Sequence, residues 1–187
     1  LYALTWKCKA QLISRDIAST IVIDNKLKFA ESRKSGIRKA LSLNIEVGES
    51  NDVDGFWHVL EDNLGNRYNA KPVHTASEMK LLMSRFPNNI KLYVAKMNGE
   101  IVGGTLIYVT SQVVHTQYIS ASVEGKKHGA LDLLFDYIIN KVYANCRYFD
   151  FGKSTEQGGA YLNEPLIFQK EGFGGRGVCY DWYQWEL

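Results

Sequence analysis

The sequence predicts a mixed α/β (α+β) domain in which an antiparallel meander leads into a helix and a crossover strand. A strand-forming segment, Ile90 to Met97, is followed by Asn98-Gly99, which is a strong signal for a two-residue hairpin. A turn rich in glycine and lysine stands directly before a long amphipathic helix. A short strand from Tyr148 to Phe151 follows that helix, and we expect it to return to the same sheet.

The first fifty residues predict three elements that are too few to bury a core of their own. Thr20 to Ile23 is strand-forming, Ser32 to Leu43 predicts a basic helix, and Ile45 to Val47 predicts another short strand. We expect residues 1–50 to pack on the main domain or to be a linker and the end of an upstream one. Residues 51–187 are then the main domain.

The main domain opens with two helices and continues with three strands. Apolar residues recur at i, i+3 and i+4 after Asp52, and a second helix after Ser77 is stopped by Pro87. The strands run from Ile90 to Met97, from Ile101 to Thr110 and from Gln112 to Ser120. The helix after the glycine- and lysine-rich turn covers Leu131 to Tyr143, another helix covers Leu162 to Lys170, and the last strand covers Tyr180 to Trp185.

Composition excludes several classes of protein. The chain has 187 residues, is 45% hydrophobic and carries a net charge of +2, which predicts neither DNA binding nor membrane binding. No apolar run approaches the ~20 residues of a membrane span. Three cysteines without a CxxC pair and four histidines without ligand spacing predict no disulfide framework and no metal site. We expect a cytoplasmic protein with reduced thiols.

The turn before the long helix is the candidate phosphate site. Backbone N–H groups and the positive end of the helix dipole both favour an anion at a strand-turn-helix junction. The alternative is an ordinary surface turn with solvated lysines. The candidate donor-binding residues are Gly125, Lys126, Lys127, His128, Gly129 and Ala130.

Candidate catalytic residues lie on the strand before this turn and after the crossover strand. Strand alternation places His115 and Gln117 on one face and Thr116 and Tyr118 on the other. An imidazole titrates near neutral pH and suits the role of general base, although a structural histidine is the alternative. Glu156 could bind or deprotonate an amine or be merely exposed, whereas Asp150 favours a turn-capping role.

Two further segments allow less specific interpretations. The glycine-rich run from Gly172 to Gly177 lacks a following helix, so it predicts a tight connection into the last strand, and its Arg176 could meet an anionic substrate. The basic residues from Arg33 to Lys39 could contact RNA, but a solvated helix face is the simpler interpretation.

The order of these elements resembles the GNAT acyltransferase superfamily over Asn51 to Leu187. Within it, Leu166-Ile167-Phe168-Gln169-Lys170-Glu171-Gly172-Phe173 is similar to the "LY-x-K-x-GF" end of that family's last helix. Ile37-Arg38-Lys39-Ala40 and Tyr148-Phe149-Asp150-Phe151-Gly152 resemble motifs of the FemAB-like branch, which contains Fem-type aminoacyltransferases. The resemblance implies that residues 1–50 end a first GNAT-like half and that the rest is the second half.

The resemblance implies acyl transfer, with acetyl as the first expectation, from acetyl-CoA or another acyl-CoA to a small-molecule amine. A FemAB-like transfer from aminoacyl-tRNA to a peptidoglycan precursor is the first alternative, and a degenerate fold that only binds is the second.

Two departures from the family's motifs bear on the choice among these functions. Glu124 to Gly129 matches the family's Q/R-x-x-G-x-G/A motif only at its last glycine, and Phe168 stands where many members have a tyrosine acid.

Overall fold

The computed structural model describes residues 1–68 and 70–186, with side chains for all of these except residues 66–68. Its strands are β1 Gln11–Val22, β2 Glu46–Ser50, β3 Ile90–Met97, β4 Glu100–Val109, β5 Val113–Ala121, β6 Tyr148–Lys153, β7 Thr155–Glu156, β8 Tyr161–Leu162 and β9 Arg176–Gln184. Its α-helices are α1 Glu31–Ser42, α2 Val53–Tyr68, α3 Ala76–Arg85, α4 Val123–Lys127, α5 Ala130–Tyr137 and α6 Glu164–Gly172. No helix of the described residues is long and apolar enough to cross a membrane.

Seven strands form one sheet in the order β2-β3-β4-β5-β6-β1-β9. Every neighbouring pair is antiparallel except β5 and β6, which are parallel and are joined through α4 and α5. The predicted mixed α/β fold, with a meander that leads into a helix and a crossover strand, is therefore confirmed.

Residues 1–50 contribute directly to this sheet. Strand β1 lies between β6 and β9, and β2 pairs with β3 at the opposite edge. Helix α1 packs against α5. The first strand begins nine residues before the predicted Thr20, because its outer half pairs with β9 and carries few apolar residues that would reveal it. That this segment also ends an upstream half stays a prediction.

The sheet has a hydrophobic core on each face. On the face that we call the α5 face, the buried aromatic side chains Phe135, Phe149, Phe151 and Phe173 pack edge to face or stacked. On the other face, here the α2 face, α2 and α3 bury Phe56 against the meander. These two layers cover the sheet, in which β5 and β6 are inner strands, on both faces.

Two glycines allow α1 and α5 to approach closely. A Cβ atom at Gly36 would lie 1.8 Å from Oδ2 of Asp132, and one at Gly129 would lie 2.4 Å from the carbonyl oxygen of Gly36. Gly129 also has φ of +73°, which favours glycine. The contact fixes the start of α5 against α1.

The predicted glycine- and lysine-rich turn is wrong in detail, because most of it is helical. Ser122 caps α4 by accepting a hydrogen bond from the N–H of Gly125, and α4 ends at Lys127. The chain then turns at Gly129 into α5. The long predicted helix is an α-helix only to Tyr137 and continues as a π-helical turn from Ile138 to Val142. Ser122, which caps α4, lies before the segment Gly125 to Ala130 that the sequence predicted as the turn.

Strand β5 contains a bulge that corrects the predicted alternation of its faces. Tyr118 is opposite Leu106 and Thr116 is opposite Ile107, so Gln117 is an extra residue without a partner. Tyr118 therefore lies on the same face as His115 rather than on the opposite one. A bulge of this kind leaves no periodic signal in the sequence. The short β7–β8 ribbon was not predicted, and β9 begins four residues before the predicted Tyr180.

Candidate active site

A cleft opens where β5 and β6 separate. The two strands pair only between Val113–His115 and Tyr148–Asp150, and their later residues diverge. The cleft has a volume of about 290 Å³. Its lining residues come mainly from β5, α5, β6 and α6: Asn63, Leu64, Ile119, Ser120, Ala121, Lys126, Leu131, Phe135, Phe151, Leu166, Gln169, Lys170 and Phe173.

A second space, the outer cavity, adjoins this cleft at the start of α5. It also has a volume of about 290 Å³ and shares Lys126, Leu131 and Gln169 with the cleft. Its other lining residues are Arg33, Gly125, Gly129, Asp132, Pro165 and Phe168. The cleft and the outer cavity are thus neighbours, separated by these three shared side chains, between the start of α5 and the end of β6.

The outer cavity has the electrostatic features of an anion site. The first hydrogen bond of α5 runs from the N–H of Leu133 to the carbonyl of Gly129, so the N–H groups before it lie at the positive end of the helix. Nη1 of Arg33 lies 2.8 Å from Oδ1 of Asp132. Burial raises the pKa of Asp132, whereas the charge of Arg33 opposes the rise.

The structure brings three of the six phosphate candidates to this cavity: Gly125, Lys126 and Gly129. Lys126 also hydrogen-bonds Asn63 on α2. Lys127 is exposed on the other side of α4, where it forms an ion pair with Glu124 at 3.8 Å. His128 contacts the same Glu124 through Nε2, at 2.9 Å. Ala130 is buried in the core.

Lys170 is the feature of the cleft that sequence reasoning missed. It is only 4% exposed, and its Nζ donates hydrogen bonds to the carbonyl oxygens of Gly152, at 3.0 Å, and Lys153, at 2.7 Å. Burial lowers its pKa to about 8, against the opposing charge of Asp150. The available signal was its place in the Leu166–Phe173 motif, which was used only to identify the family.

His115 forms a close pair with Asp150 across β5 and β6. Its Nδ1 lies 2.6 Å from Oδ2 of Asp150, and Thr20 of β1 donates a hydrogen bond to Oδ1 at 2.9 Å. Burial acts to raise the pKa of Asp150, but the hydrogen bonds from His115 and Thr20 outweigh it and hold that pKa below its usual value. An ionised Asp150 can only accept, so Nδ1 of His115 carries the proton and Nε2 is the basic nitrogen of the neutral ring.

Gly152 joins this pair to the cleft. A Cβ atom at Gly152 would lie 3.2 Å from Cε1 of His115, and its carbonyl oxygen accepts the hydrogen bond of Lys170. Gly152 has φ of +69°. The same turn of backbone at the end of β6 thus binds the buried ammonium and lies beside the imidazole.

The other two catalytic candidates lie apart from this arrangement. Gln117 is the extra residue of the bulge in β5, and Glu156 lies on β7, where it accepts a hydrogen bond from Asn163 at 2.9 Å. Like His115 and Asp150, neither belongs to the described residues that line the cleft or the outer cavity. Asp150, for which the sequence favoured a capping role, is instead the partner of His115.

The remaining motifs have plain structural positions. Phe168 is 72% exposed and lines the outer cavity, where its ring offers no proton. The glycine-rich run is the predicted connection into β9, and Gly174 has φ of +87° there. Within the described part of the chain, no three His, Cys, Asp or Glu side chains form a group suited to a metal ion.

Comparison with known proteins gives a family and several similar folds. The profile of the acetyltransferase (GNAT) domain matches residues 28–161. The C-terminal domain of a putative lysylphosphatidylglycerol synthetase from Agrobacterium fabrum has a TM-score of 0.65 and 12% identity, covering 93% of this chain and 60% of that one. FemX has a TM-score of 0.65 and 13% identity, covering 90% and 61%.

A possible acetyltransferase from Clostridium difficile 630 has a TM-score of 0.53 and 14% identity, covering 76% of this chain and 97% of that one. At these identities the similarity concerns the fold. The chain spans about 60% of the length of the first two structures. No curated protein matches the sequence significantly. Since the profile covers well over half of its residues, the chain belongs to the acetyltransferase (GNAT) domain family.

Proposed function

We propose that this protein is an N-acyltransferase that moves an acyl group, acetyl in the first instance, from acyl-CoA to an amine. The observation that carries the proposal is the cleft between β5 and β6 beside the outer cavity at the start of α5. A thioester donor has an anionic end and a long, less polar arm, and these two adjoining spaces suit the two parts.

The residues present fit such a donor. The N-terminus of α5 and Lys126 line the outer cavity and offer hydrogen-bond donors and positive charge to a pyrophosphate, whereas Arg33 is there paired with Asp132. Apolar side chains such as Phe135, Phe151 and Phe173 line the cleft and exclude water from the thioester. Its reactive end would lie near Lys170, at the end of β6.

Two groups then serve the transfer of the acyl group. The neutral imidazole of His115 accepts a proton from the attacking amine at Nε2, while Asp150 holds the ring and stabilises the imidazolium. The ammonium of Lys170 balances the negative charge that develops on the carbonyl oxygen and on the departing sulfur. The proton that returns to the sulfur can come from either group.

Donor binding tests the proposal directly. Thermal unfolding is measured with and without millimolar CoA, acetyl-CoA and longer acyl-CoAs. A ligand at a hundredfold excess over its Kd stabilises the folded state by about 2.7 kcal/mol. We expect an upward shift for the acyl-CoAs, and a smaller one in Lys126→Ala.

Lys127→Ala is the matched control, because Lys127 is adjacent in sequence but does not line the outer cavity. Its shift should equal that of the unsubstituted protein. Absence of any shift with all the CoA compounds, together with absence of thioester cleavage in the presence of amines, would contradict the proposal.

A second donor, aminoacyl-tRNA, is favoured by the basic side chains of α1 beside the outer cavity. Arg33 lines that cavity, and Lys39 donates a hydrogen bond to the carbonyl oxygen of Lys127. FemX has a similar fold. Under this alternative, an RNA hairpin that ends in CCA protects the protein against thermal unfolding and acyl-CoA does not. A third possibility is a domain that binds a ligand without catalysis, since Phe168 lacks the hydroxyl of the family's usual tyrosine acid. Such a domain would transfer neither an acyl group from acyl-CoA nor an aminoacyl group from tRNA.

A further inference from the structure

The α2 face of the sheet carries an aromatic surface that the donor site does not use. Helices α2 and α3 pack over the β3–β5 side of this face, and β9 lies at the far edge. Tyr180 and Trp182 on β9 are 50% and 60% exposed. Tyr180 pairs with Asp16 and Trp182 with Ser14 of β1.

Strand geometry places this surface on the same face as the catalytic pair. Residues opposite each other on paired strands share a face, and side chains along one strand alternate. Asp16 and Thr20 are four residues apart on β1, and Thr20 hydrogen-bonds Asp150, the partner of His115. In agreement, burial and the charge of Asp150 raise the pKa of Tyr180. The aromatic surface therefore leads to His115 from the side opposite the α5 core.

Trp182 is held in place although its ring is largely exposed. Thr155 donates a hydrogen bond to Asp16 at 2.6 Å and Lys153 donates one at 3.3 Å, and the indole of Trp182 lies close enough to this carboxylate to help lower its pKa. These hydrogen bonds, that from Thr155 foremost, keep the pKa of Asp16 below its usual value. Asp16 itself is buried, so it fixes the neighbouring side chains and leaves the ring of Trp182 as the open surface.

We propose that this surface binds the acceptor and that the acceptor is an amino-sugar glycan, a chain of polyhydroxylated rings that bears a primary amine. The inference rests on the proposed N-acyltransferase function and names its acceptor class. Tyr180 and Trp182 are two residues apart on one face of β9, so their exposed rings can offer apolar faces to the C–H faces of two linked sugar rings. Lys153 and the hydroxyl of Tyr180 lie beside these rings and can bond sugar hydroxyls.

Other acceptor classes fit this surface less well. An apolar amine would desolvate the ion pair of Lys153 and Asp16 without replacing the hydrogen bonds to water. A nucleic acid would bring phosphates toward the carboxylates of Asp16 and Asp150. From Thr20 to Asp16 the strand covers about 13 Å, so an acceptor that reaches both His115 and Trp182 is longer than one sugar ring.

The rate at which free CoA is released shows which acceptor the protein prefers. Glucosamine, its β-1,4-linked disaccharide, cyclohexylamine and a lysine-containing tripeptide are compared at saturating acetyl-CoA. We expect kcat/KM to be highest for the disaccharide. In Trp182→Ala the KM for the disaccharide should rise about tenfold with kcat little changed, because an aromatic contact adds to binding away from the reacting atoms.

Two further variants complete the test. Trp182→Phe keeps an aromatic ring and should recover much of the affinity. Trp185→Ala removes a tryptophan that is 46% exposed just beyond β9 and should leave the KM unchanged. Thermal stabilisation by acetyl-CoA should be equal in all three variants and in the unsubstituted protein.

The possible outcomes distinguish a failure of the acceptor inference from a failure of the proposed function. If acetyl-CoA binds and reacts but cyclohexylamine or the tripeptide is the better acceptor, or if Trp182→Ala behaves as Trp185→Ala does, the acceptor class is wrong and the acyltransferase proposal stands. If none of the acyl-CoAs binds or reacts, the proposed function fails, and the acceptor inference fails with it.

Discussion

At the scale of single residues, the site depends on contacts between positions far apart in the sequence. The sequence indicated His115 because an imidazole on a strand before a helix suits a base. It could not indicate that Asp150 and Thr20 would fix this ring, since three strands must come together first. Lys170 was missed for the same reason: a lysine in a helix is ordinarily solvated, and only the fold shows that backbone carbonyls of β6 enclose this one.

The buried ammonium of Lys170 predicts a pH dependence. With a pKa of about 8, it is charged below that pH and loses its charge above it. If the charge stabilises the transition state, kcat should fall as the pH rises through about 8. Lys170→Met should lower kcat on the order of a hundredfold and abolish this basic limb. The measurement is kcat between pH 6 and pH 10 at saturating substrates.

The same pKa predicts that the free energy of unfolding rises with pH, whereas kcat falls, and that it does so between pH 8 and 10.5. The pKa in the folded state, about 8, is below the ordinary value of 10.5, so the unfolded chain binds more protons between these values. The free energy of unfolding of the native protein should therefore rise relative to Lys170→Met between pH 8 and 10.5. A constant difference between the two proteins would show that Lys170 is not held in a water-poor site.

At the scale of elements, the sequence predicted regular segments better than the irregular ones that form the site. The hairpin at Asn98-Gly99 and strand β3 lie where the sequence placed them, because turn chemistry and alternation both specify them. Helix α1 differs from its prediction by one residue at each end. The bulge in β5 and the α4–Gly129 turn depend on tertiary contacts, so no local pattern could specify them.

The crossing of α1 and α5 predicts an effect of adding one methyl group. In Gly36→Ala the new Cβ would collide with the carboxylate of Asp132, which the ion pair with Arg33 holds in place. Either the ion pair breaks or the helices separate. We expect unfolding to become easier by about 1–3 kcal/mol and acyl-CoA affinity to fall, because the start of α5 moves.

Gly65→Ala is the control for this prediction. Gly65 is also a helical glycine, but nothing lies within 4 Å of the position of its Cβ. There the substitution should stabilise the protein by up to about 1 kcal/mol, through helix propensity alone. Equal effects of the two substitutions in chemical denaturation would contradict the close crossing.

At the scale of the whole molecule, residues 1–50 are part of the same sheet as the predicted main domain, residues 51–187. Strand β1 separates β6 from β9 in the sheet, and it supplies Thr20 to the pair of His115 and Asp150 and Asp16 to the aromatic surface. The order of elements after residue 51 sufficed to identify the family. The position of β1 could not be inferred, because pairing with strands more than 100 residues away leaves no local pattern.

A fragment of residues 51–187 should therefore fail to fold cooperatively. It lacks β1, the one strand that joins β9 to β6, and it leaves the core under α1 open. A fragment of residues 10–187 is the control, since it keeps β1 and removes only a short segment whose side chains are mostly exposed. Circular dichroism and thermal unfolding distinguish the two. A cooperative transition in the shorter fragment would overturn the prediction.

The bulge at Gln117 decides which side chains of β5 form the wall of the cleft. If the strand ran on without a bulge at the same length, Gln117 would lie opposite Leu106, and the positions that follow, including Ile119 and Ser120, would exchange faces. An apolar wall would become polar, and the reverse, without any substitution. Deletion of Gln117 would instead let Tyr118 follow Thr116 directly, so the later positions would keep their partners on β4 and the cleft would keep its lining.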